Sequence, residues 1–462
     1  MTAGLRQKFG LGKKKSTAVN LTEGPIIKSI LLFALPLFMG QLLQQLYHTA
    51  DAWVIGNFAD NDAFAAVSSA GSMTHLIVGL FNGIAIGGGV IISRYFGAKE
   101  EENIVKAIHT NFLFGILASI LSTIVGLVLV PHMLVWMKTP ASVMPNSLSY
   151  FRIYFGGVST VIMYNICMSI MRALGDSVRP LYYLILSSCT NVVLDLLFVA
   201  VFRWGVAGAA IATVISQGLS VILCLIRMCR VQDYTRLDFK KIHFYKDIMA
   251  EVFKQGLPTG IQNAVISIGN LTVQTNINSF GSYAMAGVGA YSRIEGFVFL
   301  PIMSMSMSLP TFVSQNLGAK QYDRAKKGAA FGIIFGAVMA ELLGLLIYFK
   351  ASPVLGIFVD TPESIAYGTI HLKVTSLFFF LLALTHCSAG VLRGCGKAFI
   401  PMATMLAFWC GVRVTYVTLI LKVIPEFQMI SWAYPLTWSL STVVLLFMVF
   451  RLDWTKTFEK KK

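Results

Sequence analysis

Apolar residues in this chain are grouped in long runs that short polar segments interrupt. Twelve runs of about 20 or more residues can be traced, near 27–55, 63–92, 104–131, 148–171, 179–202, 205–229, 254–280, 284–313, 328–350, 366–391, 398–421 and 428–450. Each run is long enough for a helix rising 1.5 Å per residue to cross a hydrocarbon layer of about 30 Å. The pattern predicts an all-α polytopic membrane protein with twelve transmembrane helices.

Two short motifs recur in the second half of the sequence at a constant displacement. The segment SRYFGAK at 93–99 is matched by SQNLGAK at 314–320, 221 positions later, and the segment 172–180 is matched by 393–401 at the same displacement. A repeat of six spans returns the chain to its starting side, so the two copies should run parallel around an axis along the membrane normal. We therefore expect two parallel six-helix repeats around a central cavity.

The predicted domain boundaries come from the repeat and from the polar break between its copies. We expect a cytoplasmic N-terminal tail over 1–26, an N-lobe with transmembrane helices 1–6 over 27–229, a cytoplasmic linker over 230–250, a C-lobe with helices 7–12 over 251–451, and a cytoplasmic C-terminal tail over 452–462. This arrangement is typical of transporters in which one bundle rocks against the other, and it is rarely needed by channels.

Composition and charge support a membrane location. Hydrophobic residues make up 56% of the chain and charged residues only 13%, where a soluble domain carries about 25% charge. Most of the 37 Lys and Arg residues lie in the termini and in the breaks after even-numbered helices. The positive-inside rule then places both termini in the cytoplasm, with the chain multi-pass in the inner membrane. The net charge of +16 is thus a topology signal, and no nucleic-acid partner is expected.

The chain carries no signature of an enzyme or of a cofactor. It lacks the G-x-x-x-x-G-K-[ST] phosphate-binding loop, so ATP hydrolysis by this chain is not expected. Its seven cysteines fall in or beside predicted helices and suggest neither a disulfide framework nor a metal site. A transporter of this kind would draw on a transmembrane proton or sodium gradient instead.

Few acidic residues lie inside the predicted spans, where a charge costs about 2.5 to 3.5 kcal/mol. Asp51 lies in predicted helix 1, and Asn191 and Asp195 lie one turn apart on one face of predicted helix 5. A carboxylate beside an amide can hold a proton or coordinate sodium; the alternative is a buried polar network that only joins helices. The repeat places Val412 and Tyr416 at the positions of Asn191 and Asp195, so a specialised role in one half is favoured.

Several motifs together make the chain similar to the multidrug and toxic compound extrusion (MATE) family. They are Glu23-Gly24-Pro25, Phe33-Ala34-Leu35-Pro36, Gln44-Gln45-Leu46-Tyr47 followed by Asp51, the Gly-Ala-Lys turns of both halves, Arg172-x-x-Gly175-Asp176 and Asn191-x-x-x-Asp195. The resemblance covers about residues 22 to 450. It is strongest for the prokaryotic subfamily named for a DNA-damage-inducible member.

In that subfamily an aspartate fifteen residues after a proline in helix 1, an Asn-x-x-x-Asp pair in helix 5 and a threonine in helix 6 form the proton or sodium site. The resemblance implies these roles for Asp51, Asn191, Asp195 and Thr213, with Pro36 as the proline. Pro36 has two interpretations, an architectural kink or a hinge whose bend responds to protonation of Asp51. The carboxylates that another bacterial branch carries in helices 7 and 10 have no counterpart in this chain.

Further candidates for substrate contact or gating come from helices 1 and 8. Gln44 and Tyr47 precede Asp51, whereas Arg293 and Glu295 are a base and an acid inside predicted helix 8. Arg293 and Glu295 are two positions apart and cannot face each other well, so each is expected to find another partner. Met303 belongs to a Met-rich stretch that suits either a pliable cavity or ordinary packing.

The sequence thus predicts a monomeric antiporter that exports organic, often cationic and aromatic compounds against a proton or sodium gradient. Its partners would be small-molecule substrates and the lipid bilayer. Two rivals stay open: a lipid or lipid-linked oligosaccharide flippase of the same superfamily, which would favour a basic cavity, and a membrane receptor or scaffold that transports nothing.

Overall fold

The computed structural model of the protein describes residues 19–58, 61–136 and 139–456, and within these ranges it is helical and contains no β-strand. The α-helices of the first half are α1 (Ile26–Phe58), α2 (Asn61–Ala98), α3 (Glu101–Trp136), α4 (Met144–Gly156), α5 (Val158–Ala173), α6 (Val178–Asp195) and α7 (Gly205–Arg230). Those of the second half are α8 (Lys246–Asn278), α9 (Ser282–Gly318), α10 (Tyr322–Phe349), α11 (Ala351–Leu355), α12 (Pro362–Ser376), α13 (Phe379–Gly394), α14 (Phe399–Met405), α15 (Arg413–Val423) and α16 (Phe427–Phe450). Positions 1–18 and 457–462 of the predicted tails lie outside the described residues.

Short irregular helical segments complete the described chain. Two π-helical segments, Leu196–Val201 and Leu406–Val412, come directly after α6 and α14, and a 3₁₀ turn, Phe239–Lys241, lies between α7 and α8. Each π-helical segment extends the helix before it without a break in the chain, so both of these spans are longer than their α-helical parts.

The described helices form a multi-pass membrane protein. Among them, nine are long and apolar enough to cross a membrane, and the pairs α4–α5 and α12–α13, bent by 44° and 54°, bring the number to eleven if each pair is one span. The helix α8 has 33 residues but does not reach the apolarity of the others. The twelfth span therefore stays a prediction.

The duplicated motifs form turns with matching backbone geometry. Lys99 and Lys320 both have φ of 57°, just after α2 and α9 end. Gly175 and Gly396 have φ of 85° and 75°, just after α5 and α13. A left-handed residue at this position ends a helix by satisfying its last carbonyls. All four turns lie at the end of the molecule where α1 begins and α16 ends, which we call the terminal end.

Glycines on α2 bring the two halves into backbone contact toward the terminal end. A Cβ on Gly83 would lie 2.1 Å from the backbone nitrogen of Gly260 in α8, and one on Gly87 would lie 2.4 Å from that of Gly256. Closer to the end of α2, a Cβ on Gly97 would lie 1.9 Å from the carbonyl oxygen of Gln315 in α9. Only glycine leaves room for these crossings.

The substitution Gly83→Ala is expected to lower the unfolding temperature of the purified protein by several degrees. The new methyl group overlaps the backbone of Gly260, and forcing two packed helices apart costs about 1 to 3 kcal/mol. The higher helix propensity of alanine returns at most about 1 kcal/mol. Thermal unfolding in detergent is the measurement, and Gly289→Ala on α9, where no atom of the described residues lies within 4 Å of the new group, is the control. Equal unfolding temperatures for both variants would contradict the close crossing.

Helix α1 packs against both halves. Ile30, Phe33 and Leu37 lie in a buried cluster with residues of α9, α10 and α13 in the second half. Val54 and Ile55 pack within the first half, against the π-helical segment Leu196–Val201 and α7. Pro36 lies inside α1 near the change between these partners. The helix therefore contacts both halves, and the hinge role of Pro36 stays a prediction.

Candidate functional site

Two carboxyl groups lie near each other where α1 and α6 come together. The carboxyl group of Asp51, a half-buried residue, and that of Asp195 lie within electrostatic reach of each other. Asp195 is fully buried, and among the described residues neither of its oxygens has a donor; the same holds for Oδ1 of Asp51. Ionised carboxylates only accept hydrogen bonds and repel each other, so a proton or a cation between them would relieve both unfavourable effects.

The amide of Asn191 lies one turn before Asp195 on the same face of α6. It is 2% exposed, and neither Nδ2 nor Oδ1 has a hydrogen-bond partner in the described part of the chain. Leaving a buried polar group unpaired costs about 1 to 3 kcal/mol, which a functional site can tolerate but a merely structural network should avoid. The structure thus brings together three of the four residues predicted for the cation site, and their free acceptors suit a proton or sodium.

The fourth predicted residue, Thr213 on α7, is bonded within its own helix. Its hydroxyl donates to the carbonyl oxygen of Ala209 at 3.0 Å, and the residue is half-buried. A hydroxyl that donates in this way still has free lone pairs for a cation. Its membership of the cation site stays a prediction.

Two aromatic side chains, Tyr150 of α4 and Tyr47 of α1, lie in the electrostatic field of the carboxyl pair. Tyr150 and Tyr154 lie one turn apart on α4 with their rings stacked at 6.0 Å, and both are buried. Tyr47 is also buried and lies close to Tyr154 and to Gln217 on α7. Tyr150, Tyr154 and Gln217 were not among the residues predicted from the sequence, although the spacing of four between the two tyrosines was a visible signal of a shared face.

The backbone changes form directly after Asp195. The chain continues from α6 as the π-helical segment Leu196–Val201, and Phe202 donates from its backbone nitrogen to the carbonyl oxygen of Leu197 at 2.9 Å. Single π-helical turns within helices often occur at functional sites. The local widening shifts the register of the helix beside the carboxyl pair, and no pattern of residues had indicated it.

The candidates from α9 occupy different surroundings. Arg293 is exposed, whereas Glu295 is half-buried beside the ring of Tyr291 and within the electrostatic field of Arg413. Glu295 therefore interacts with residues other than Arg293, whereas the expectation of another partner for Arg293 stays a prediction. Gln44 and Met303 are half-buried on α1 and α9, and their contact with a substrate stays a prediction.

A buried cation occupies the matching region of the second half. Arg413 at the start of α15 is 2% exposed, and its guanidinium lies between the rings of Trp409 and Tyr434, at 4.9 and 4.5 Å from the ring centres. It donates to Oγ1 of Thr437 at 2.8 Å and to Oδ1 of Asn270 at 3.5 Å. From the sequence this arginine was recognisable only as a charge inside a helix.

The internal repeat relates the carboxyl pair of the first half to the buried arginine of the second half. At the displacement of 221 positions, Thr213 corresponds to Tyr434, and Arg413 falls one position after the counterpart of Asn191. The first half therefore presents carboxylates where the second presents a cation, and this asymmetry favours cation binding in the first half.

Comparisons with known proteins agree with this fold. A family model described as MatE matches residues 36–197 and again residues 258–417. The probable multidrug resistance protein YoeA of Bacillus subtilis is 26% identical over 440 residues, which cover 93% of this chain and 94% of that protein. The multidrug export protein MepA of Staphylococcus saprophyticus is 23% identical over 442 residues, covering 95% of this chain and 96% of that protein.

Solved structures share the architecture. An outward-facing multidrug resistance MATE family transporter of the MOP superfamily superposes with a TM-score of 0.89 at 19% identity, covering 96% of this chain and all of that one. A MOP superfamily transporter from Pyrococcus furiosus gives a TM-score of 0.89 at 18% identity, covering 97% of this chain and 100% of that one. Two matched segments of one family model, which together span most of the chain, show that this protein belongs to the MatE family.

Proposed function

We propose that this protein is a secondary active multidrug efflux transporter, an antiporter that exchanges a proton or sodium ion for organic, often cationic and aromatic compounds. The observation that carries the proposal is that the carboxyl groups of Asp51 and Asp195 lie near each other, beside the unpaired amide of Asn191. The names of the relatives, multidrug resistance and multidrug export proteins, support the substrate class. No cofactor enters the proposal, because the ion gradient supplies the energy.

The proposed coupling is a competition for the carboxyl pair. In the outward-facing state a cation loads between Asp51 and Asp195, the site loses its negative charge, and an organic cation held nearby is released. After the halves rock, the cation leaves to the cytoplasm and the site attracts another substrate. Such coupling requires only that the two ligands disfavour each other's binding, and the effect is reciprocal.

The proposed architecture has twelve spans in two six-helix lobes that rock around the cavity. The helix α8 is the twelfth span in this arrangement, and its close glycine crossing with α2 supports a place at the junction of the two lobes. Both termini lie in the cytoplasm of a monomeric protein in the inner membrane. Within the family we place the chain in the subfamily named for a DNA-damage-inducible member, on the strength of its Asp51 and Asn191-x-x-x-Asp195 motifs.

The walls of the site support binding of aromatic cations. Aromatic faces attract organic cations by about 0.5 to 2 kcal/mol, and Tyr47 and Tyr150 place such faces beside the carboxyl pair. Gln44, Glu295 and Met303 are our candidates for further substrate contacts. A lipid or lipid-linked oligosaccharide flippase is less well supported, because the cluster in the first half is acidic and the relatives are named as drug exporters.

Ethidium efflux from proteoliposomes tests the proposal and identifies the ion. Proton and sodium gradients are imposed separately, and efflux is expected with one gradient and absent without either. If sodium is the ion, Thr213→Val should raise the sodium concentration needed for half-maximal efflux, since it removes an oxygen ligand; if it is the proton, this variant should transport normally. Equal ethidium flux with and without both gradients would contradict antiport, as expected of a receptor or scaffold.

A further inference from the structure

A basic pocket lies between α3 and the linker that joins the two halves. It has a volume of about 300 Å³, and its basic lining residues are Lys106 and His109 of α3 and Lys240, Lys241 and His243 of the linker. The mechanism proposed above does not use any of them. The pocket lies at the terminal end, where α7 ends and α8 begins.

The linker is held against α3 by specific hydrogen bonds. His109 is 1% exposed; its Nδ1 bonds the carbonyl oxygen of Val105 at 2.7 Å, and its Nε2 accepts from the backbone nitrogen of Asp238 at 3.1 Å. The carboxylate of Asp238 in turn accepts from the backbone nitrogen of Lys240 at 3.0 Å, which caps the 3₁₀ turn. His109 is therefore a wall of the pocket, and the turn presents the two lysines in a fixed place.

The charges at the pocket are not balanced. Lys106 is paired with Glu102 on the same helix, and its ammonium lies 5.6 Å from the ring centre of Tyr245. Within the described residues, the side chains of Lys240 and Lys241 have no carboxylate within salt-bridge distance, and both are exposed. Two free ammonium groups at the mouth of one pocket attract a phosphate group.

The pocket also lies at the edge of the lipid-facing surface. The ring of Phe239, 58% exposed, packs edge-on against Phe112 of α3, and from Leu117 onward α3 exposes apolar side chains. Across the seam between the two halves, Phe253 of α8 is 38% exposed and packs against Phe114 of α3. Basic groups directly beyond an exposed apolar strip match a lipid, with its headgroup in the pocket and its chains along the seam.

We propose that the pocket formed by Lys106, Lys240 and Lys241 binds the phosphate headgroup of an anionic phospholipid in the leaflet at the terminal end. The lipid would occupy the seam between α3 and α8, and would thus contact both halves of the molecule. The proposal goes beyond antiport, and its test requires no ion gradient, so either proposal can fail without the other.

Native mass spectrometry of the full-length protein in detergent tests the proposal, with dioctanoyl phosphatidylglycerol as the anionic probe and dioctanoyl phosphatidylcholine as the neutral one. We expect preferential binding of phosphatidylglycerol, and about 20-fold weaker binding by the double variant Lys240→Gln and Lys241→Gln at low ionic strength. The control, Lys326→Gln with Lys327→Gln, removes the same charge from exposed positions of α10 and should bind as the native protein does. An unchanged unfolding temperature would show that the variants are folded.

Two further measurements distinguish a lipid headgroup from free inorganic phosphate. Phe239→Ser should weaken the binding of phosphatidylglycerol severalfold, because the acyl chains lose a contact, and inorganic phosphate at millimolar concentration should not displace the lipid. Equal binding of phosphatidylglycerol by the native protein and the Lys240/Lys241 double variant would overturn the proposal. Displacement by inorganic phosphate at the affinity of the lipid, with no effect of Phe239→Ser, would overturn the lipid assignment.

Discussion

Asp195→Asn is expected to reduce gradient-driven ethidium efflux to the level of liposomes without protein, and Asp51→Asn is expected to do the same. Each substitution keeps the shape of the side chain but removes a carboxylate charge that, in the proposed coupling, binds the cation between α1 and α6. In a one-for-one exchange of monovalent cations no net charge crosses the membrane, so the concentration gradient of the ion supplies the work, about 1.4 kcal/mol for each tenfold difference. A tenfold ion gradient can then sustain about a tenfold ethidium ratio, and without the exchange of the ion the ratio should fall to one.

The two carboxyl groups act as a unit in the proposed coupling, so their effects should not add. The double variant Asp51→Asn with Asp195→Asn should be as inactive as either single variant. Asp360→Asn, at an exposed position near the other end of the molecule, is the matched control and should transport at the native rate. Full activity of both single variants at native expression would show that these aspartates only join helices, and would shift attention to Glu295 and the second half.

Arg413→Gln is expected to destabilise the protein by about 3 kcal/mol or more. The substitution removes a guanidinium that lies between two aromatic rings and bonds Thr437, and leaves Glu295 without its nearby cation. A desolvated contact between a cation and an aromatic ring contributes about 2 kcal/mol, and a hydrogen bond to a charged group about 1.5 to 3 kcal/mol, so the loss of both accounts for the expected effect. Thermal unfolding in detergent should show the loss directly.

The partnership between Arg413 and Glu295 can be measured with a double-mutant cycle. Adding Glu295→Gln to Arg413→Gln should recover about 1 to 3 kcal/mol, because both charges are then absent. Arg293→Gln, an exposed arginine two positions before Glu295, should change stability by less than about 0.5 kcal/mol. Additive losses in the double variant would show that the two charges do not interact.

The sequence was most informative where a residue is out of place in a membrane. Asp51 and Asp195 stood out because charge inside an apolar run is costly, and the structure brings their carboxyl groups together. Tyr150, Tyr154 and Arg413 were harder to find. Tyrosine is ordinary in a membrane helix, and an arginine is identified as buried only when its aromatic partners are known.

Helix α8 shows what an apolar run does not reveal. From the sequence it is expected to resemble the other predicted spans, whereas the structure buries its Gln255 and Gln262 against the second half. Apolarity reports exposure to lipid, so the face of a helix that packs against other helices can carry amides provided that they find partners. The nitrogen of Gln255 donates to the carbonyl oxygen of Gly396 at 2.7 Å.

Bends and shared packing could not be predicted from the sequence either. The breaks between α4 and α5 and between α12 and α13 fall inside continuous apolar runs. The first coincides with Gly156-Gly157, a pair that weakens a helix, whereas Leu377 and Phe378 at the second are no signal of a break. Likewise, the burial of Ile30 and Phe33 against the second half depends on tertiary contacts that periodicity does not contain. The type and order of the helices were predictable, but not which neighbours each would touch.

Reverse coupling tests the proposed antiport most directly. In proteoliposomes with no ion gradient at the start, an imposed ethidium gradient should drive protons or sodium ions in the opposite direction through the native protein, followed with a pH- or sodium-sensitive dye. We expect this movement for the native chain and for Asp360→Asn, and none for Asp51→Asn or Asp195→Asn. Ion movement that persists in both aspartate variants, or ethidium movement through the native protein without any ion movement, would contradict antiport through the carboxyl pair.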